Sequence, residues 1–373
     1  MSNQAMTNPN VRSQPLVTPP PAGAENGLRA IGTRAAVLVR IQVVQILIVL
    51  IAICVVFALM SPEAFPQWTN FRQIIQNVSI LAILGVGMTF VIITSGIDLS
   101  VGSVLVFSGV VGAKAMSALG GQGWLVALTG LLVSVVTGVL WGLLNGFLIG
   151  KANVPPLIVT LGTLGGALGL AQVITGGVDI HKVPDVLVNT IGYGNLPGST
   201  IPVISAIAVV VVLTFAIILH RTHFGLHTYA IGSNEQSARR VGIDVDIHLV
   251  KIYALSGALA GLAGLLSLAQ YSTTAIGGQT QTNLNVIAAV VIGGTSLFGG
   301  VGTMFGTVVG LFIPAVLQNG FVIIGVQPFW QQVAVGAVLI AAVYVDQRRR
   351  EAATRGDSTN TLQRLITRRR VAT

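Results

Sequence analysis

Between Lys251 and Asp346 the chain runs for 94 residues, 252 to 345, without one Asp, Glu, Lys, Arg or His. A water-soluble fold cannot carry such a run, because about a quarter of an ordinary soluble domain is charged and those groups cover its surface. Hydrocarbon reverses the requirement, since every ionisable group placed in it is penalised. The rest of the sequence follows the same rule: 8% of residues are charged, 53% are apolar and the mean hydropathy is +0.84. Backbone groups in lipid must be satisfied within their own segment or in a closed barrel, and apolar runs of about 20 residues are the helical solution. The chain therefore reads as an all-α integral membrane protein with one polytopic domain.

Runs broken by Gly, Pro or polar clusters give about ten crossings, near 41–60, 74–94, 100–118, 124–149, 156–175, 202–219, 252–271, 284–297, 301–319 and 329–345. An even number returns the chain to its starting side. The charges fit that count. Residues 1 to 40 carry Arg12, Arg29, Arg34 and Arg40 against Glu25, and residues 346 to 373 carry eight arginines against Asp346, Glu351 and Asp357. Twelve basic minus four acidic residues give +8 of the net +9. Basic flanks mark the cytoplasmic side and favour anionic lipid headgroups, which places both termini there. The polar loop 220–251, with Arg221, Arg239, Arg240 and Lys251, falls on the same face, and the loop 176–201 falls outside. Because no aromatic residues interleave with the arginines, nucleic acid is not an expected partner. The domain reading is a disordered Pro-rich cytoplasmic tail over 1–40, a transmembrane domain over 41–346 and a basic cytoplasmic tail over 347–373. The tail before residue 40 lacks the apolar segment of a signal peptide.

Glycines stand four apart at 138, 142, 146 and 150, at 257 and 261, and at 302, 306 and 310. That spacing puts each set on one helix face, where backbones can approach closely. The only cysteine, Cys54, lies in the first apolar run and reads as packing.

Asp98 is the one charged residue between Arg72 and Lys114, in Ser95-Gly96-Ile97-Asp98-Leu99-Ser100. An acid at membrane depth costs roughly 2.5 to 3.5 kcal/mol on insertion scales, so it needs a partner or a wet site. Two compatible roles follow: Asp98 or Ser100 caps the next helix, or a broken helix presents these groups to a path through the membrane. A second interruption runs from Gly293 to Gly302 through Thr295 and Ser296, and four identities at an offset of 200 residues, including Val101–Gly102 with Val301–Gly302, echo the first. The amides and hydroxyls of 270–274 and 279–283 both donate and accept, which suits neutral polyhydroxyl solutes.

In the polar loop, Ser233-Asn234-Glu235-Gln236 fits a capping box and Gly242 stands at a helix stop, predicting a short docking helix over 233–241. No phosphate-binding loop, metalloprotease or serine-hydrolase motif occurs. The chain reads as non-catalytic and as holding no cofactor or metal of its own.

The segments Gly96–Ser103, Ile287–Leu297 and Gly232–Glu235 with Gly242-Ile243 closely resemble the ribose-type permease subunits of bacterial ATP-binding cassette (ABC) sugar importers, over about residues 41 to 347. The resemblance implies a homodimer in the bacterial plasma membrane, two cytoplasmic ATPase subunits that bind ATP and Mg, and an extracytoplasmic sugar-binding protein. It implies a monosaccharide of the ribose, xylose or fructose kind. The ATPase would be engaged by Gly232, Ser233, Asn234, Glu235, Ala238, Arg239, Gly242 and Ile243, and the translocation path or gate would use Asp98, Ser100, Asn283, Asn285, Thr295 and Ser296. Members often carry an acidic pair where this chain has Asn283 and Asn285, and an Arg near Gln270. Two rival readings are a standalone secondary carrier for neutral solutes, disfavoured by the scarcity of membrane ionisable groups, and a membrane scaffold, which leaves the polar interruptions without purpose.

Overall fold

The structure, a computed structural model, describes residues 43–277 and 281–327 together with scattered positions between 330 and 348. The tail of residues 1–40, nearly all of the tail after 347, much of the crossing expected at 329–345, and Gln279 and Thr280 lie outside them. The described chain is helical throughout its spans: α1 (Val43–Met60), α2 (Trp68–Ile93), α3 (Val101–Leu119), α4 (Trp124–Gly150), α5 (Pro156–Thr175), α6 (Val203–Arg221), α7 (His223–Ser233), α8 (Glu235–Arg240), α9 (Val245–Tyr271), α10 (Thr282–Ile292) and α11 (Met304–Ile323).

Eight of these are long and apolar enough to cross a bilayer. The crossing expected over 284–297 is instead the 11-residue α10, which at 1.5 Å per residue spans about 16 Å, half of a hydrocarbon core. Gly293 and Gly294 end it, Gly294 at φ 95°. The expected crossing at 252–271 starts earlier, at Val245, because Asp244 Oδ1 accepts from the amide of Ile247 at 3.0 Å and caps the helix inside the polar loop. Two helices, α7 and α8, form an elbow between α6 and α9 at one end of the bundle, hereafter the elbow end.

Burial identifies the centre. In α2 and α9, 78% of the apolar window is buried, against 11% in α1. The α4–α9 contact follows the predicted glycine spacing along its whole length: side chains added at Gly138, Gly142, Gly146 and Gly150 would strike α9 backbone at Gly257, Tyr253, Val250 and Asp246. Lipid tails are as apolar as leucine, so helix contact in a bilayer rests on close van der Waals approach, which these positions permit. Gly306 and Gly310 do the same for α10, against Gly293 and Ala289.

The 176–202 segment is not a loose loop. It contains a π-helical turn, Leu187–Gly192, and is held to α2 by Arg72 Nη2 donating to the Tyr193 carbonyl (2.7 Å) and Gln76 Nε2 donating to the Gly192 carbonyl (3.1 Å). Asp179 accepts from Thr274 Oγ1 and the Ile276 amide, both at 2.8 Å, and so ties this segment to the connection between α9 and α10.

Candidate functional site

Two polar features interrupt the apolar bundle, one buried at mid-depth and one open at the end opposite the elbow. After α2 ends at Ile93 the chain reverses through Ser95, at φ 63°, and runs back into the bundle before α3 begins. Asp98 lies in this returning stretch, 3% exposed. Its Oδ1 accepts from the Ser100 amide (2.9 Å) and the Ser100 hydroxyl (2.6 Å), and its Oδ2 accepts from the Ser256 hydroxyl (3.0 Å) near the middle of α9. Asn145 of α4 donates to Ser100 Oγ at 2.9 Å. Asp98 thus fixes the turn that enters α3 through Ser100, the residue before the helix, and neither side chain caps the α3 amides as the sequence led one to expect. The residues bring α3, α4 and α9 to one buried knot. No salt bridge to Asp98 occurs among the described residues. Hydroxyl and amide donors, together with the positive end of the 19-residue α3, are what offset the cost of burying the carboxyl.

At the opposite end a cleft of about 330 Å³ opens between α2, the end of α9, the start of α10 and α11. Asn70, Gln73 and Asn77 present three polar side chains from one face of α2, since positions i, i+3 and i+7 align on a helix. Gln281, Thr282 and Asn285 face them from α10 and its cap, and Gln318 and Asn319 from α11. These groups already bond to one another: Asn77 Oδ1 accepts from Gln270 Nε2 (2.7 Å) and the Tyr271 hydroxyl (3.2 Å), and Asn319 donates to Asn70 at 2.7 Å. Among the described residues the lining has no Asp, Glu, Lys, Arg or His. A wall of amides and hydroxyls can exchange such bonds for those of a neutral polyol, with no ion to desolvate.

One helical turn joins the two features. Asn285 lines the cleft, and Asn283, two residues earlier on α10, is buried and donates to the Leu99 carbonyl at 2.9 Å, beside Asp98 and Ser100. The sequence-predicted path residues therefore fall into three places. Asp98, Ser100 and Asn283 belong to the knot, Asn285 to the cleft, and Thr295 and Ser296, 1% and 4% exposed, to the second interruption after α10. Asn145 and Ser256 carry no charge and escaped sequence reading. Asn70, Gln73 and Asn77 escaped it too, because α2 begins at Trp68 and not at the expected residue 74, so Asn70 and Gln73 lay outside the apolar run.

At the elbow, the capping prediction shifts by one residue. Ser233 is the last residue of α7, so its backbone is helical and it cannot cap; Asn234, at φ −161° and ψ 102°, caps α8 by accepting from the Ser237 amide at 2.8 Å. Gly242, at φ 89°, stops the helix as predicted. Arg239 pairs with Glu235 at 3.0 Å and Asp246 at 2.5 Å, and Ala238 is buried with Ile231 and Val245. This fixes α8 to α7 and α9 while leaving Glu235, Gln236, Arg239, Arg240 and Val241 exposed. Burial pushes the Tyr229 hydroxyl up to about 12, so it stays a donor, and it bonds the Gly302 carbonyl at 2.7 Å.

Residues 70–343 match the family model described as branched-chain amino acid transport system / permease component. The D-allose transport system permease protein of Escherichia coli (strain K12) is 36% identical over 299 residues, 80% of this chain and 90% of that protein. The ribose import permease protein of the same strain is 36% identical over 307 residues, 81% and 93%. Its xylose transport system permease protein is 31% identical, with 88% and 95% covered. No solved structure matches the chain.

Proposed function

Because the chain belongs to the branched-chain amino acid transport system / permease component family, as a multi-pass plasma-membrane protein and a transport component, we propose that it is the membrane permease of an ATP-driven importer for a monosaccharide. The observation that carries the sugar class is that relatives at 31% to 36% identity, over most of both chains, are permeases for allose, ribose and xylose. The uncharged amide cleft supports it, since a sugar offers hydroxyls and no ion.

In this reading the transport cycle is alternating access. A partner ATPase binds ATP and Mg and seats the exposed face of α8 through Glu235, Arg239 and their neighbours, with Gly232, Ser233, Asn234, Ala238, Gly242 and Ile243 shaping the elbow. Two copies of the chain enclose the path, and an extracytoplasmic binding protein delivers sugar to the cleft side. Asn285 contacts the passing sugar. Asp98, Ser100, Asn283, Thr295 and Ser296 act as gate supports, because they hold the interrupted segments and do not open onto the cleft.

Gentle purification of the tagged chain with mass spectrometry of its partners tests the assignment. A stoichiometric P-loop ATPase, with ATP-dependent uptake of ribose, allose or xylose by the reconstituted complex, is the expected result. A chain that purifies alone and takes up solute on an ion gradient would replace it with a secondary carrier.

A further inference from the structure

Three backbone segments that are far apart in sequence converge at the elbow end. Gly300, in the second interruption, donates its amide to the carbonyl of Ile93, the last residue of α2, at 2.9 Å. Ser95, in the first interruption, donates its hydroxyl to the Phe298 carbonyl at 2.8 Å. Gly232, in the last turn of α7, fills the remaining side: a side chain there would strike the Ile93 carbonyl oxygen and the Gly300 amide nitrogen. Gly299 meets Ser95, Gly232 and Ile93 in the same way, and a Cβ at Gly300 would lie 3.1 Å from Ser233 Cα. Apart from the short Ser95 hydroxyl, the contact is backbone against backbone, without long flexible side chains to absorb displacement. Tyr229, one turn earlier on α7, adds its bond to Gly302.

Each interruption leads onward. The first returns through Asp98 to the knot, and the second connects to α10, whose first turn lines the cleft. α7 itself continues into α8. A movement of the elbow would therefore reach both interruptions at one point, before any span bends.

We propose that this three-way junction of Gly232, Ile93–Ser95 and Phe298–Gly300 moves as one body and passes motion of the elbow to the two interrupted segments, with Gly232, Ser95 and Gly299 as positioning residues for transport. The inference rests on the permease reading above and goes beyond it, since it assigns transmission to an internal junction of Gly232 with Ile93–Ser95 and Phe298–Gly300, two segments outside the ATPase contact and the cleft.

The test uses the full chain reconstituted with its ATPase and binding protein, with radiolabelled ribose, allose and xylose as probes. The readout is sugar moved per ATP hydrolysed, because a merely structural defect lowers both rates together and leaves their ratio. Gly232→Ala is expected to lower that ratio about ten-fold with ATP hydrolysis retained, as loss of coupling between two sites requires. An unchanged ratio overturns the proposal. Should Gly232→Ala fail to assemble, Ser95→Ala removes only the hydroxyl and its one hydrogen bond, without adding bulk to the junction, and a fall in its ratio of about two-fold or more is required.

A cross-link checks the one-body claim independently. A Cβ built at Gly300 stands 3.4 Å from Ser233 Cβ, near disulfide range, so Ser233→Cys with Gly300→Cys in a Cys54→Ala chain can be oxidised, with the reduced chain as the reference because Gly300 lies at φ 74°. Oxidised and re-reduced samples are expected to transport equally. Uptake that is lost on oxidation and regained on reduction shows that the segments slide past each other and overturns the proposal. An unmodified chain with no ATP-dependent uptake of any of the three sugars instead overturns the permease reading, and this inference falls with it.

Discussion

Replacing Asp98 tests whether its carboxyl is chiefly an acceptor that holds three helices together. In Asp98→Ala three donors lose their partner: the Ser100 amide, the Ser100 hydroxyl and the Ser256 hydroxyl. They are not equal. Ser256 lies within α9 and can rotate to bond the carbonyl four residues before it, a geometry open to any helical serine. The Ser100 hydroxyl can turn towards Asn145, whose Oδ1 is buried without a partner. The Ser100 amide is fixed by the backbone and stays orphaned, at about 1–3 kcal/mol for a buried donor. With the void left by the carboxyl and imperfect re-pairing of the hydroxyls, the loss comes to roughly 2–4 kcal/mol. Asp98→Asn keeps the Oδ1 acceptor for both Ser100 donors and forfeits only the bond from Ser256, worth about 0.6 kcal/mol on average between membrane helices. The two variants should thus differ by about 2 kcal/mol, some thirty-fold in the unfolding equilibrium. Tryptophan fluorescence of the purified protein, titrated with sodium dodecyl sulfate in mixed micelles, measures this. Equal destabilisation by Asn and Ala would mean that the charge itself supports the fold, and a neutral Ala variant would mean that the knot contributes nothing; either result refutes the reasoning.

Two further outcomes follow from the same geometry. Gly142→Leu forces α4 away from the Tyr253 carbonyl and should cost at least the 1–3 kcal/mol typical of overpacking, seen as loss of monodisperse protein, while Leu140→Ala, at an exposed position two residues earlier on the same helix, should be nearly silent. Arg239→Glu breaks two exposed ion pairs, which should change stability by less than about 1 kcal/mol yet uncouple ATP hydrolysis from uptake; normal coupled transport would remove α8 from the proposed ATPase contact.

Most of the helical architecture was legible because lipid imposes a simple rule: the chain must be apolar for the thickness of the core, and a break must be marked by glycine or a polar residue. Val43–Met60, Trp124–Gly150 and Pro156–Thr175 end within about two residues of their expected limits. The α4 glycines were legible as a seam for the same reason, since four-residue spacing defines a helix face whatever lies against it. Asp98 stood out as a charge in an apolar run.

What the sequence could not disclose is which groups meet. Asn145 and Ser256 have no signature of their own and become part of the knot only because α3, α4 and α9 bring them to Asp98. The cap of α8 moved from Ser233 to Asn234 because an unforeseen helix, α7, occupies the preceding residues. The cleft exists only where α2, α9, α10 and α11 diverge, and the two interruptions, 200 residues apart, touch because α2 ends where the second one turns. Hydrophobic length is a local property that a one-dimensional string records, whereas a polar site inside a membrane is assembled from residues whose only common feature is the place to which packing delivers them.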